Sequence, residues 1–236
     1  MKIFSFVLFI VILFSPHGYS QIKRSTHELP ISTKHLSEQS SLSFSAGMGI
    51  AIISLPDISD YLNIHAGYRE FDEFQSAPEF FGSLEILLSP TWGTKIEYMN
   101  VFTSYSVLSG GFQLDDVLQL KMPSLLVQKI FQKEFSVIKI GAGIGYHFGS
   151  LEETFLGSTI FFRANGIGFK GECEANTALT ESLYAYLASD VRINFLGTLR
   201  SNNGSTPNIY YSNSLSRAVS LNFFSIGFML GLILYV

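Results

Sequence analysis

The sequence predicts an all-β fold, an eight-stranded antiparallel transmembrane up-and-down β-barrel, and three observations carry that reading. The first is alternation. Leu42, Phe44, Ala46, Met48, Ile50 and Ile52 interleave with Ser41, Ser43, Ser45, Gly47, Gly49 and Ala51. The same beat returns at Ile138, Ile140, Ala142, Ile144, Tyr146 and Phe148, set against Val137, Lys139, Gly141, Gly143, Gly145 and His147. Successive side chains of a strand point to opposite faces, so each segment has one apolar face and one small or polar face. The second is that short and long connections alternate, as in barrels with tight turns on one side of a membrane and longer loops on the other. The third is composition: charged residues make up 14% of the chain and aromatic residues another 14%, with 22 Phe. A soluble domain carries about 25% charge, and a face solvated by lipid needs none.

The elements follow in order. Met1-Lys2 is a short positive start, Ile3 to Phe14 is apolar apart from Ser5, and Pro16 and Gly18 break the run. Gly18-Tyr19-Ser20 puts small residues at the cleavage positions, so 1–20 reads as a signal peptide cut after Ser20. The apolar run is short for a bilayer span. Residues 21–40 are polar and aperiodic and read as a periplasmic lead-in, leaving 41–236 as the barrel. Without Lys2 the chain has 14 basic and 19 acidic residues, a net charge of −5. That balance, with no basic cluster, excludes nucleic acid as a partner. Cys173 stands alone, so no internal disulfide forms, and it lies too far from Ser20 for a lipid-modified N-terminus.

Eight strands are expected, at 41–53, 79–89, 92–103, 116–130, 136–148, 160–177, 182–197 and 216–235. Short links fall at Pro90-Thr91, Phe131 to Phe135 and Ala178 to Glu181; long ones fall at Ser54 to Pro78, Ser104 to Asp115, Gly149 to Thr159 and Thr198 to Leu215. With both termini on the periplasmic side, that gives three short turns and four extracellular loops. Parity places Glu85, Lys95, Glu97, Lys121, Lys129, Lys139, Lys170, Glu172, Glu174, Asp190 and Arg192 on the inner face. A charge facing hydrocarbon costs several kcal/mol, and an eight-stranded barrel is just wide enough for its side chains to fill it. These residues are expected to form a polar interior that holds the barrel together. Gly141, Gly143 and Gly145 are expected to make room for Tyr184 and Tyr186 or for tight curvature.

The last segment has rival readings. Val219 to Val236 has no charge, and Gly227 and Gly231 have the spacing of a helix-dimerising face. A glycolipid-anchor tail after Ser212-Asn213-Ser214 is another reading. Phe224, Ile226, Phe228, Leu230, Leu232 and Leu234 also alternate with Ser225, Gly227, Met229 and Gly231. The closing strand is favoured, because an open edge does not survive in lipid.

Leu120-Lys121-Met122-Pro123-Ser124-Leu125-Leu126, with Ile138 to Tyr146, resembles the outer-membrane β-barrel domain family abundant in Bacteroidota. Leu179 to Leu183 and Asp190 to Phe195 look like that family's next turn and strand. The resemblance covers about 42–195 and implies a small OmpA- and OmpX-like barrel without catalytic residues. Such strands commonly finish on a terminal aromatic that the insertion machinery reads. This chain ends Leu234-Tyr235-Val236, one place off, which keeps the helical tail in play.

For chemistry, His147 is the best candidate, near the outer end of its strand with Glu152 and Glu153 behind it. A serine–histidine–carboxylate site at the rim would make a lipid hydrolase, but no serine is singled out by spacing. Five scattered histidines argue against a metal site. Asp57, Asp60, Glu70, Asp72 and Glu73, with Tyr61, Tyr68, Phe71 and Phe74, make the first long loop acidic and aromatic, a solvated tip or a calcium or partner site. Asn203-Gly204-Ser205 reads as turn chemistry. The expected protein is a monomeric, non-enzymatic outer-membrane barrel with no cofactor and no metal. Its partners are outer-membrane lipid, the barrel insertion machinery and a surface partner at the loops. The alternatives are a narrow channel for ions or small polar solutes and a rim lipid hydrolase using His147.

Overall fold

Alternating apolar and small residues from Leu42 onward pair with other alternating segments, and the pairing closes into a ring. The computed structural model describes residues 41–65, 74–109, 112–132, 136–212 and 215–236. The expected signal peptide and lead-in and most of the acidic first-loop residues lie outside them. The barrel strands are β1 (Leu42–Ser54), β2 (Phe74–Ser89), β3 (Trp92–Ser109), β4 (Phe112–Gln132), β5 (Ser136–Phe155), β6 (Ser158–Ala178) and β7 (Leu183–Thr198). After three short strands, β8 (Arg200–Ser201), β9 (Asn208–Ser212) and β10 (Leu215–Ala218), comes the closing strand β11 (Ser220–Tyr235). Each of β1 to β7 pairs antiparallel with its sequence neighbour, and β11 pairs with both β7 and β1. The C-terminal segment is therefore a strand, not a helix. No helix among the described residues is long and apolar enough to cross a membrane.

The structure corrects the expected connections. β4, β5 and β6 run to 20 or 21 residues, well beyond the roughly 9–11 that span a bilayer. The expected long loop Gly149 to Thr159 is mostly strand, closed by a two-residue turn at Leu156-Gly157 with φ of 50° and 78°. Two positive φ values are what a twisted hairpin turn demands. Ser104 to Asp115 is likewise mostly strand. Polar residues on both faces hid these extensions, because they lie past the apolar band. The expected last strand, 216–235, is divided: β10 pairs with β9, and only β11 joins the barrel.

The first long link holds a helix, α1 (Pro56–His65). Pro56 is preorganised for the first helical turn, and Asp57 suits its N-terminal dipole. Ile58, Tyr61 and Leu62 share one face and are buried. They pack with Leu118, Leu151, Leu196, Leu199, Ile209 and Leu221 into an apolar cap at this end of the barrel. Asp57 accepts hydrogen bonds from the Ser220 backbone N–H (3.0 Å) and hydroxyl (2.7 Å), and pairs with Arg217 at 2.9 Å. These contacts anchor α1 to β10 and to the first residue of β11.

Polarity is inverted relative to a water-soluble sheet protein. Phe44, Ile144 and Leu230 stand 47%, 49% and 64% exposed on the outer wall, whereas Lys95 and Arg192 inside are 1% exposed.

Candidate functional site

Inward parity on five strands delivers one continuous chain of ion pairs down the lumen. Glu85 pairs with Lys139, and Lys139 with Glu174 at 2.9 Å. Glu174 pairs with Lys95 at 3.1 Å, and Lys95 with Glu172 at 2.5 Å. Glu172 pairs with Lys170 at 2.5 Å, and Lys170 with Asp190 at 3.1 Å. Asp190 pairs with Arg192, and Arg192 with Glu79 at 3.2 Å. Glu97 bridges Lys95 (3.6 Å) and Lys170. Gln128 donates to Glu172, and the Tyr186 hydroxyl accepts from Lys95. Alternating signs along the chain let each buried charge offset the desolvation of its neighbours.

Of the residues expected inside, Glu85, Lys95, Glu97, Lys139, Lys170, Glu172, Glu174, Asp190 and Arg192 all lie in this chain. Lys121 and Lys129 do not, and this is a correction. The even positions of β4, including Leu118, Leu120, Met122, Leu126 and Ile130, face the lumen, so the odd positions face out. Both faces of β4 are apolar near its centre, which makes its parity ambiguous in sequence. Each lysine sits at a border of the apolar band, where a long stem lies on apolar surface and the ammonium reaches the polar layer. Lys129 stacks over the Trp92 ring at 4.8 Å. Glu79 is the network member that sequence reasoning missed; its even-odd agreement with Phe81 and Glu85 is the signal that finds it.

Above the charges, Ser124 Oγ lies 3.1 Å from His147 Nε2, and His147 Nδ1 lies 2.6 Å from Asn194 Oδ1. Ser124 and Asn194 were invisible as partners because only ring closure brings β4, β5 and β7 together here. The carboxylates expected behind His147 lie elsewhere: Glu153 accepts from Tyr61 at 2.5 Å, and Glu152 belongs to the outer wall. The imidazole is fully buried, and a Cβ on Gly145 or Gly168 would meet its ring. The glycines of β5 thus accommodate His147 and β4 side chains such as Gln128 and Leu126, not Tyr184 and Tyr186.

Past the apolar band, Asp116 is buried under α1 and faces Glu153, and neither of its carboxylate oxygens has a hydrogen-bond partner among the described residues. Burial, reinforced by Glu153 and Asp115, pushes the Asp116 carboxyl up to about 7. Burial and Glu153 likewise hold the Tyr61 phenol well above its usual range. Because Asp116 binds its proton more tightly in the folded state, stability falls as pH rises from about 4 to about 7. The expected difference between wild type and Asp116→Asn across that window is about 2–4 kcal/mol, read from urea unfolding at several pH values. Parallel pH profiles for the two proteins would contradict this placement.

Asn203-Gly204-Ser205 forms a turn, with Gly204 at φ 82° and the Ser205 N–H donating to Asn203 Oδ1 at 3.1 Å. No group of metal-ligating side chains occurs among the described residues.

Solved structures share this architecture. Ail, the attachment invasion locus protein of Yersinia pestis, superposes with a TM-score of 0.53 at 8% identity, covering 84% of this chain and 99% of Ail. Ail in complex with the heparin analogue sucrose octasulfate gives 0.50 at 9% identity, with the same coverage. Neisserial surface protein A gives 0.52 at 13% identity, covering 84% of this chain and 98% of that one. The fold is that of the small outer-membrane β-barrels. No protein family matches the chain by sequence, and no curated protein matches it.

Proposed function

We propose that this chain is an integral outer-membrane β-barrel protein that neither conducts nor catalyses. It acts as a structural element and through the surface it presents at the α1 end. The observation that carries the reading is the inverted polarity, with exposed large apolar side chains around the wall and a chain of buried ion pairs inside. Only a lipid solvent makes that arrangement stable. The barrel likeness to Ail and Neisserial surface protein A supports it, and so does the signal-peptide pattern read in residues 1–20. The motif residues from Leu120 and Ile138 support a place among the Bacteroidota barrel domains.

The ion-pair chain fills the lumen and the cap under α1 covers one end, so a water path is not expected. Ser124, His147 and Asn194 are read as a hydrogen-bonded packing unit, because an ester carbonyl reaches Ser124 only if the barrel opens. The test has two arms. The refolded protein should migrate differently unboiled and boiled, with a β-type circular dichroism spectrum. In planar bilayers it should give no discrete conductance steps. Regular steps would replace the closed reading with a channel, and a helical spectrum with no mobility shift would remove the barrel.

A further inference from the structure

Resting on the outer-membrane reading, we propose that a groove on the outer wall across β4, β5 and β6 binds the phosphorylated headgroup of an outer-leaflet glycolipid. The groove has a volume of about 720 Å³. Register arranges its outward side chains in rungs. One rung is Lys121–Phe148–Asn165, and the next toward α1 is Gln119–Ser150–Arg163. Lys121 and Arg163 thus occupy opposite corners of a small patch, their Cα atoms about 12 Å apart from strand spacing and rise. Both are exposed, and neither has an ion-pair or side-chain hydrogen-bond partner among the described residues. Two long cationic side chains at that separation can close on one phosphate, with Gln119 and Ser150 between them as neutral polar groups.

The height of the groove selects a lipid. On β5 and β6 the outward apolar residues Phe148 and Ile167 give way to Ser150, Asn165 and Arg163, so the patch is a polar break in the apolar outer wall, with exposed Val117 and Phe161 one rung farther out. Phe148 on the Lys121 rung and Tyr146 one rung below it meet edge to face at 5.3 Å and offer an aromatic wall to acyl chains. Glu152 lies one rung farther out, opposite Val117 and Phe161, and repels an anion that rises past the cations. Phosphate at the cation rungs with hydrocarbon beneath is the chemistry of a phosphorylated membrane lipid, not of a free anion.

The probe is bisphosphorylated lipid A, offered to the refolded full barrel in detergent and followed by native mass spectrometry, against the same lipid stripped of phosphate. Wild type should retain the phosphorylated lipid at least about tenfold better, and Lys121→Gln/Arg163→Gln should lose that margin. Lys129→Gln, at the opposite border, should behave as wild type. Equal retention of both lipids, undiminished retention by the double variant, or full displacement by millimolar inorganic phosphate would overturn the proposal. Unboiled and boiled gels on each sample separate the two failures. A barrel that shifts but does not discriminate overturns only the groove; a chain that does not shift overturns the membrane reading beneath it.

Discussion

Lys95→Met is expected to lower the unfolding free energy by about 3–5 kcal/mol, the range for removing one partner from a buried charge cluster. Lys95 Nζ serves Glu172 at 2.5 Å, Glu174 at 3.1 Å and Glu97 at 3.6 Å. The ion-pair chain holds four cations, Lys95, Lys139, Lys170 and Arg192, against six carboxylates. Acid is therefore already in excess, and losing Lys95 raises that excess at the centre of the chain. Methionine fills similar volume, so the loss is electrostatic and not a cavity. Glu97→Gln moves the balance the other way and should cost only about 1 kcal/mol, the scale of a weakened hydrogen bond. The double variant should recover part of the Lys95→Met loss, since it removes one charge of each sign. Urea titration of the barrel in lipid vesicles measures all three. A Lys95→Met protein as stable as wild type would show that the interior charges are not mutually compensating.

The same interior shows what a sequence can and cannot convey about a barrel. Lys139 and Lys170 were legible because each alternates with residues such as Ile140 and Phe169 that suit only lipid. Lys121 was not, since Gln119 and Lys121 alternate with Leu118, Leu120 and Met122, and a polar set alternating with an apolar one reads as lumen-facing when it is in fact the outward set at the border of the apolar band. The Ser124–His147–Asn194 contact depends on three strands meeting across a closed ring, a relation that periodicity within one strand does not contain. α1 was hidden for a different reason. It is a ten-residue helix too short to be stable alone, held by burial of one face and by Asp57. The closing strand was legible through the alternation of Phe224 to Leu234 with small residues, and the need to leave no open edge decided it against a helix.

That closing seam carries the second large effect: Gly47→Val is expected to block formation of the heat-shifting barrel. Gly47 and Gly231 face each other across the β1–β11 pairing. A Cβ on Gly47 would run into the Leu230 carbonyl oxygen, the Gly231 Cα at 2.6 Å and the Phe81 ring at 2.8 Å. Phe81 occupies the space the two glycines leave, and it stacks on Tyr186 with centroids 4.9 Å apart. Two of the three obstacles are backbone, which cannot rotate away, so the strain exceeds the roughly 1–3 kcal/mol of ordinary overpacking. The seam also joins the first strand to the last. Its loop-closure entropy is the largest in the fold, and it is gained back only when the ring shuts. Until then both edges present unpaired backbone groups, which hydrocarbon does not tolerate. Gly171→Ala tests whether the seam, and not the loss of a glycine, is responsible: a Cβ there meets nothing within 4 Å. It should shift on boiling as wild type does, with an unchanged or slightly raised urea midpoint. If Gly47→Val instead inserts, shifts and unfolds like wild type, the β1–β11 register is wrong, and the strand order of the ring has to be redrawn from that seam.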